Sequence, residues 1–282
     1  MSCCGEAAEH GAGDGGQRKL LEQVVVEANE RVATGVGLLA LRAPRIAASV
    51  RPGQFVHLRI AEGTAFILRR PFSVHRTRGE TIEVLYQVVG VGTRWLAERE
   101  PGDAMDAIGP LGSGWWIPEG AAHALLVAGG LGAAPLGMLA EALAERGVAV
   151  SVAHGAPTAE RLVAAGLFED VARRVETATD DGSAGVRGFV TALVPGLLAQ
   201  DRPDVVYACG PEPMMCAVAR LAAEAGVPCQ VSLERLMACG VGACLSCTVS
   251  TRSGLKRACA DGPVFDAEDV VWAQDEVEGL KR

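Results

Sequence analysis

The sequence predicts a multidomain fold, α/β plus all-β: an antiparallel β-barrel, a parallel-sheet α/β domain and a small cysteine-bearing segment near the C-terminal end. Three observations predict it. Short β-rich runs punctuated by Gly and Pro occupy residues 20–108, and apolar runs alternate with helical patterns from 122 to 231. Cys239, Cys244 and Cys247 then stand in C-x4-C-x2-C spacing, followed by Cys259.

The bulk numbers narrow the field. At 282 residues the chain is long enough for two domains and a small third. A net charge of −8 argues against nucleic acid or an anionic membrane surface as the main partner, because both attract basic patches. The longest uncharged run, Ala124 to Ala140, is interrupted by four glycines and Pro135, which suits a strand-to-helix turn rather than a membrane span. No basic region followed by an apolar core opens the chain, so no signal peptide is expected. Nine cysteines without an export signal point to a reducing, cytoplasmic setting where thiols serve metals.

In chain order, residues 1–18 are Gly-, Ala- and charge-rich and read as a disordered tail, with Cys3 and Cys4 as exposed, unliganded thiols. Residues 19–117 read as the barrel, with strands at Leu21–Glu27, Gly37–Arg42, Gln54–Ile60, Arg70–His75 and Thr81–Val89 and one helix at Thr93–Arg99. The boundary falls near Trp116–Ala121, where Pro118 and Gly120 break the pattern. Residues 118–232 read as the α/β domain. Its strands are His123–Ala128, Val148–Ala153, Arg174–Thr177, Asp204–Ala208 and Cys229–Leu233; its helices are Pro135–Glu145, Thr158–Glu169, Phe189–Gln200 and Pro211–Ala225. Continuous apolar strands joined through helices imply a parallel sheet. Residues 233–282 form the cysteine segment.

The cysteine spacing matches the plant-type arrangement for a [2Fe-2S] cluster. Small residues at Gly240, Gly242, Ala243 and Ser246 let backbone N–H groups turn toward the sulfurs. A four-cysteine zinc site is the competing reading, although such sites usually show two C-x2-4-C pairs. On the barrel, Arg70-Pro71-Phe72-Ser73 offers a guanidinium for a phosphate and a hydroxyl for a flavin ring nitrogen; a surface arginine with a strand serine is the plainer alternative. Gly90-Val91-Gly92-Thr93 opens a short helix whose free N–H groups favour a pyrophosphate, with Thr93 either capping the helix or touching the phosphate. Gly129-Gly130-Leu131-Gly132, running to Pro135, lies between the first α/β strand and its helix, where dinucleotide phosphates bind, or is simply a tight turn. Cys209-Gly210-Pro211 ends a later strand of the same sheet, and Cys209 lies against a nicotinamide ring or is a buried apolar residue.

In this order the motifs resemble the ferredoxin–NADP⁺ reductase superfamily from about Leu20 to Trp272. With Leu233 to Cys244 and Cys259-Ala-Asp-Gly-Pro-Val-Phe265, the chain resembles the electron-transfer subunits of class B dihydroorotate dehydrogenases. The resemblance implies FAD on the barrel, NAD(H) on the α/β domain and [2Fe-2S] on the last segment. No catalytic side chain is implied beyond these cofactors. It also implies a partner, an FMN-containing catalytic subunit bearing the orotate site, assembled as a heterotetramer in pyrimidine biosynthesis. Pro157 stands where relatives often place arginine, which suits NAD over NADP, with Arg161 close enough in sequence to compensate. Asp180-Asp181-Gly182-Ser183 resembles a family loop, or is a solvated turn. Two other functions compete: a reductase subunit of the sulfide dehydrogenase or NADH-dependent ferredoxin–NADP⁺ oxidoreductase type, in which glutamate follows the Gly-Pro where this chain has Val264, and a non-catalytic redox sensor.

Overall fold

A computed structural model of the chain describes residues 17–60 and 66–272. The tail expected over residues 1–18, with Cys3 and Cys4, therefore lies outside the described residues save for its last two positions. The first sheet contains β1 (Leu20–Ala33), β2 (Val36–Arg42), β3 (Phe55–Leu58), β4 (Arg70–Ser73), β5 (Arg76–Arg78), β6 (Thr81–Gln87) and β7 (Ala104–Leu111). Two short helices, α1 (Pro44–Ala47) and α2 (Val91–Ala97), interrupt it. Every pair is antiparallel, in the order β4-β3-β7-β1-β2-β6-β5.

The two edge strands are halves of one bent stretch. Val74 N–H donates to Gln54 at 3.0 Å and His75 N–H donates to Glu83 at 2.7 Å, so each ladder continues into the bend and the sheet closes into a barrel. Alternate residues of β1, including Val24 and Val26, point inward with Leu39, Leu41, Val56, Leu58, Ile82 and Val84.

The second sheet takes β8 (His123–Gly129), β9 (Ala149–Ala156), β10 (Arg174–Thr179), β11 (Val186–Arg187), β12 (Val205–Cys209), β13 (Cys229–Ser232) and β16 (Val264–Asp266), in the order β11-β10-β9-β8-β12-β13-β16. All its pairs are parallel except β13 with β16. Helices α3 (Ala134–Glu145) and α4 (Ala165–Val171) cover one face; α5 (Val194–Asp201) and α6 (Glu212–Glu224) cover the other. β14 (Thr248–Thr251) and β15 (Gly254–Arg257) form a hairpin in the cysteine segment.

Two expected helices are shorter than their patterns suggest. Thr158–Glu169 resolves into a 3₁₀ turn at Ala159–Arg161 and then α4, separated by Ala164 with a left-handed φ of 64° that no helix accommodates. Phe189–Gln200 begins as a 3₁₀ turn at Val190–Ala192, and α5 starts only where Pro195 can occupy its first turn without a missing N–H mattering.

The two sheets meet along α3. His75 contacts the Ala134 carbonyl through Nδ1 at 2.9 Å, so that nitrogen carries the proton. Burial holds the His75 conjugate acid down to about 4, which keeps the ring neutral. Trp115 Nε1 donates to the Pro135 carbonyl at 3.0 Å, and the Arg76 guanidinium pairs with Glu141. At position 137 a Cβ would lie 2.4 Å from the His75 ring, so only glycine lets barrel and helix approach this closely. The cysteine segment shares a core with the α5–α6 face, where Cys247, Val249, Ala258 and Cys259 are buried among Val218, Met215 and Val231.

Candidate cofactor sites

The strand order reverses at β8, whose neighbours are β9 on one side and β12 on the other. The loops after β8 and β12 therefore flank the crevice where ligands enter open α/β sheets. At Gly132 a Cβ would lie 2.1 Å from the Cys209 carbonyl oxygen, and at Gly210 it would lie 2.9 Å from Gly129 Cα. Two motifs about eighty residues apart in sequence thus meet backbone to backbone, and only glycine permits it. Met214 Sδ occupies the space a side chain at Gly129 would need. Gly130, with φ of +55°, has nothing within 4 Å of a Cβ position and leaves open room before α3. This cradle fits a dinucleotide pyrophosphate. Cys209 itself is buried, its Sγ 3.6 Å from the Ser232 carbonyl, and burial pushes its thiol up to about 12. It is a neutral packing residue at the crevice rather than a reactive thiolate.

Beside that crevice, the Glu160 carboxylate accepts from the Thr34 amide at 3.1 Å, and Arg161 Nη2 reaches the Thr34 carbonyl at 3.5 Å. Ser183 Oγ accepts from the Ala159 amide at 2.8 Å while donating to Asp181, whose amide-to-carboxylate bonding with Ser183 makes an Asx turn. The barrel hairpin, the loop after β9 and the Asp180–Ser183 turn are therefore tied together.

On the barrel, α2 brings Gly92 to the side chain of Arg70: Arg70 Nε would lie 3.8 Å from a Cβ at position 92. A guanidinium and the Gly90–Gly92 turn, twenty residues apart, converge on one edge, as a pyrophosphate requires. Thr93 is committed locally, since its Oγ1 accepts from Val89 and Gly90 amides at 2.9 and 3.1 Å. Of its two expected roles, the structure supports capping. Pro71 and Ser73 are half-buried, and Phe72 packs edge-on to Tyr86 at 6.5 Å. Ser73 makes no side-chain hydrogen bond to the described residues, so its hydroxyl is free for a ligand such as a flavin.

The cysteine loop is wound by positive φ values at Gly240, Gly242 and Leu245. Amides of Val241, Ala243 and Cys244 point at Cys239 Sγ at 3.5, 3.3 and 3.4 Å, and the Gly242 amide points at Cys259 Sγ at 3.1 Å. Cys244 is exposed, and the Ser246 hydroxyl with its neighbouring amide brings the thiol down to about 6. Burial drives Cys259 the other way, up to about 12. Arg257 closes the loop from below, donating to the Gly242 carbonyl at 3.1 Å while chelated by Asp261.

Among the described residues no three metal-ligating side chains converge on a point where a single ion could sit. The amides aimed at the Cys239 and Cys259 sulfurs suit a metal–thiolate centre of negative charge.

Several contributors carried little signal of their own in the sequence. His57 and Met214 act through tertiary contacts, and Arg257 through the Gly242 carbonyl and its ion pair with Asp261 four residues on. His57 alone had a faint signature: with Val56 and Leu58 facing the barrel core, strand alternation turns it outward with Phe55.

Comparison with known proteins agrees with this layout. Residues 234–271 match the iron-sulfur cluster binding domain of dihydroorotate dehydrogenase B, and residues 126–220 match the oxidoreductase NAD-binding domain. The chain is 42% identical over 248 residues to a dihydroorotate dehydrogenase B (NAD(+)) electron transfer subunit of Desulforamulus reducens, covering 86% of this chain and 94% of that one. It is 40% identical over 263 residues to the counterpart from Geobacillus thermodenitrificans, covering 89% and 98%. Among solved structures, a chain of NADH-dependent reduced ferredoxin–NADP oxidoreductase superposes with a TM-score of 0.81 at 33% identity, covering 95% of each chain. A ferredoxin reductase of carbazole 1,9a-dioxygenase shares the fold, with a TM-score of 0.63 at 24% identity over 74% of this chain and 67% of that one. The chain belongs to the family of dihydroorotate dehydrogenase B (NAD(+)) electron transfer subunits.

Proposed function

We propose that this chain passes electrons between an FMN-containing dihydroorotate dehydrogenase catalytic subunit and NAD⁺, in a cytoplasmic heterotetramer serving pyrimidine biosynthesis. Cys239, Cys244, Cys247 and Cys259 hold the [2Fe-2S] cluster. Arg70, Pro71, Phe72 and Ser73, with the Gly90–Gly92 turn that Thr93 caps, form the FAD site; Gly129, Gly130, Gly132, Cys209 and Gly210 form the NAD(H) site. The units are residues 19–117, 118–232 and 233–282. When bound, the cluster carries electrons singly and FAD exchanges them in pairs with NAD(H), so the flavin joins the two kinds of chemistry.

The observation that carries this reading is the seat of the cysteine loop. Gly240 packs on His57 of β3, the strand next to β4, so the cysteine loop is seated on the barrel one strand away from the Arg70–Ser73 motif. In the cysteine segment, which carries the exposed Cys244, Leu236 and Leu255 are 89% and 76% exposed, with Leu245 close behind. Apolar side chains so exposed beside a redox loop suit a protein partner. A depression of about 370 Å³ lined by Leu245, Thr248, Leu255, Lys256, Arg257 and Asp261 adds a polar rim to that face. Among the described residues no helix is long and apolar enough to cross a membrane.

The likeness to NADH-dependent reduced ferredoxin–NADP oxidoreductase favours a second reading, a reductase subunit of that type. Val264 argues against it: it opens β16, is buried and pairs with Ser232, where a glutamate carboxylate would need a buried partner. Co-expression with an FMN-containing candidate subunit separates the two. The expected result is a stable complex that reduces NAD⁺ with dihydroorotate. A complex that forms with ferredoxin-linked partners only, or none with the FMN subunit, would overturn the pyrimidine assignment.

A further inference from the structure

Arg235 lies outside every set of residues assigned above to a cofactor, three residues past β13 and four before Cys239. Its Nη1 donates to the Glu212 carboxylate at 3.0 Å and to the Glu234 carbonyl at 2.8 Å. Glu212 is the first residue of α6. One ion pair, its side chains 28% and 36% exposed, therefore joins two places. They are the exit of β13, where the chain leaves for the cysteine loop, and the helix that opens just after Cys209-Gly210-Pro211.

The place of that pair gives it a consequence for the nucleotide. β12 and β13 run parallel, so the chain leaves both at the edge where the crevice lies. Glu212 is two residues from Gly210, and two residues span at most about 7 Å. Gly210 in turn abuts Gly129, since a Cβ built on it falls 2.9 Å from the Gly129 Cα. Glu212 thus stands about one screening length, roughly 10 Å at 0.1 M salt, from the cradle that fits a pyrophosphate. The charge of the linker reaches the same place: burial first, and then the Glu234 carboxylate, push the Cys209 thiol up to about 12. Two carboxylates accordingly flank a crevice whose ligand brings phosphate charges of its own. Arg235 is the cation bonded to one of them and next in sequence to the other.

We propose that Arg235 is a positioning residue for NAD(H): it neutralises Glu212 beside the crevice, so that the phosphates of the nucleotide approach a turn of balanced charge. This inference rests on the NAD(H) site proposed above, and goes beyond it by giving the linker to the cysteine loop a part in nucleotide binding.

The test uses anaerobically purified full-length holoprotein, with NADH-to-dye reduction measured at low and at high ionic strength. Arg235→Met keeps most of the side chain's length and removes its charge. It is expected to raise the KM for NADH about fivefold at low salt, the upper end for a partly exposed ion pair, with kcat, FAD and iron content within about twofold of wild type. High salt screens the uncovered carboxylate and shrinks the difference to less than about twofold. Arg235→Lys keeps the charge, and the double variant Arg235→Met with Glu212→Gln removes the uncovered carboxylate; both are expected to show a KM near wild type. A wild-type KM in Arg235→Met at low salt would overturn the proposal. So would a raised KM that persists at high salt or in the double variant, which marks a packing role, and so would iron loss at unchanged KM, which confines Arg235 to the cysteine segment. Should Arg235→Met not fold, Glu212→Gln decides, because it leaves Arg235 unopposed: a KM below wild type at low salt supports the proposal, and an unchanged or raised KM contradicts it. Gly132→Ala separates this inference from the site on which it rests. An unchanged KM in that variant defeats the nucleotide site and the inference with it, whereas a raised KM there beside a wild-type KM in Arg235→Met defeats the role of Arg235 alone.

Discussion

Cys244→Ser is expected to abolish the iron–sulfur signal while NADH-to-dye activity, which needs only FAD and NADH, stays within about twofold of wild type. Cys244 is the most exposed of the four proposed ligands, and a serine hydroxyl at this site does not replace a soft thiolate for iron. The loop should survive the substitution, because its shape is set by protein contacts independent of the Cys244 sulfur. Arg257 still holds the Gly242 carbonyl, Asp261 still holds Arg257, and Gly240 still lies on His57. Visible spectra, EPR and dye reduction on the same preparation check the outcome. Loss of FAD together with the cluster would contradict separable cofactor sites.

Gly132→Ala is expected to raise the KM for NADH about tenfold to a hundredfold at unchanged FAD and iron content. The new methyl group would stand 2.1 Å from the Cys209 carbonyl oxygen, 2.4 Å from its carbon and 2.7 Å from the Gly210 nitrogen. All three are backbone atoms of the strand-to-helix turn after β12, so no side-chain rotation relieves the clash. Relief requires the loops after β8 and β12 to separate, at a cost of about 1–3 kcal/mol for overpacking of this kind. Each 1.4 kcal/mol of lost binding is tenfold in affinity, which gives the range stated. Gly130→Ala is the contrast: its methyl would meet nothing within 4 Å, and only the left-handed φ of +55° opposes it. Steady-state dye reduction as a function of NADH distinguishes them. An unchanged KM in Gly132→Ala would remove the crevice from the nucleotide site.

Much of this was legible in the sequence because the signals were local. Period-two runs located most barrel strands, and the apolar runs of β8, β9 and β12 stood out because both faces of that sheet are covered. The C-x4-C-x2-C spacing needs only one loop to be meaningful. What escaped was whatever depends on the rest of the fold. β7 is broken up by Asp106, Gly109 and Pro110, and is a strand because β1 and β3 flank it. β16 offers only Val264 and Phe265 as apolar residues, and its antiparallel pairing with β13 stitches the cysteine segment onto the nucleotide sheet. Thr158–Glu169 has helical spacing in Val163 and Leu167, four residues apart, yet Ala164 turns left-handed between them. At the candidate sites the motifs were readable singly, whereas their meetings were not: Arg70 with Gly92, Gly132 with Cys209, and Gly240 with His57 each join residues far apart in sequence.

The central claim is that one chain carries a flavin barrel, a nucleotide crevice and a two-iron loop. Metal and flavin analysis of the protein purified without air tests it most directly. The account predicts FAD together with about two irons per chain, and little zinc. Protein lacking flavin, or holding zinc in place of iron, would contradict it.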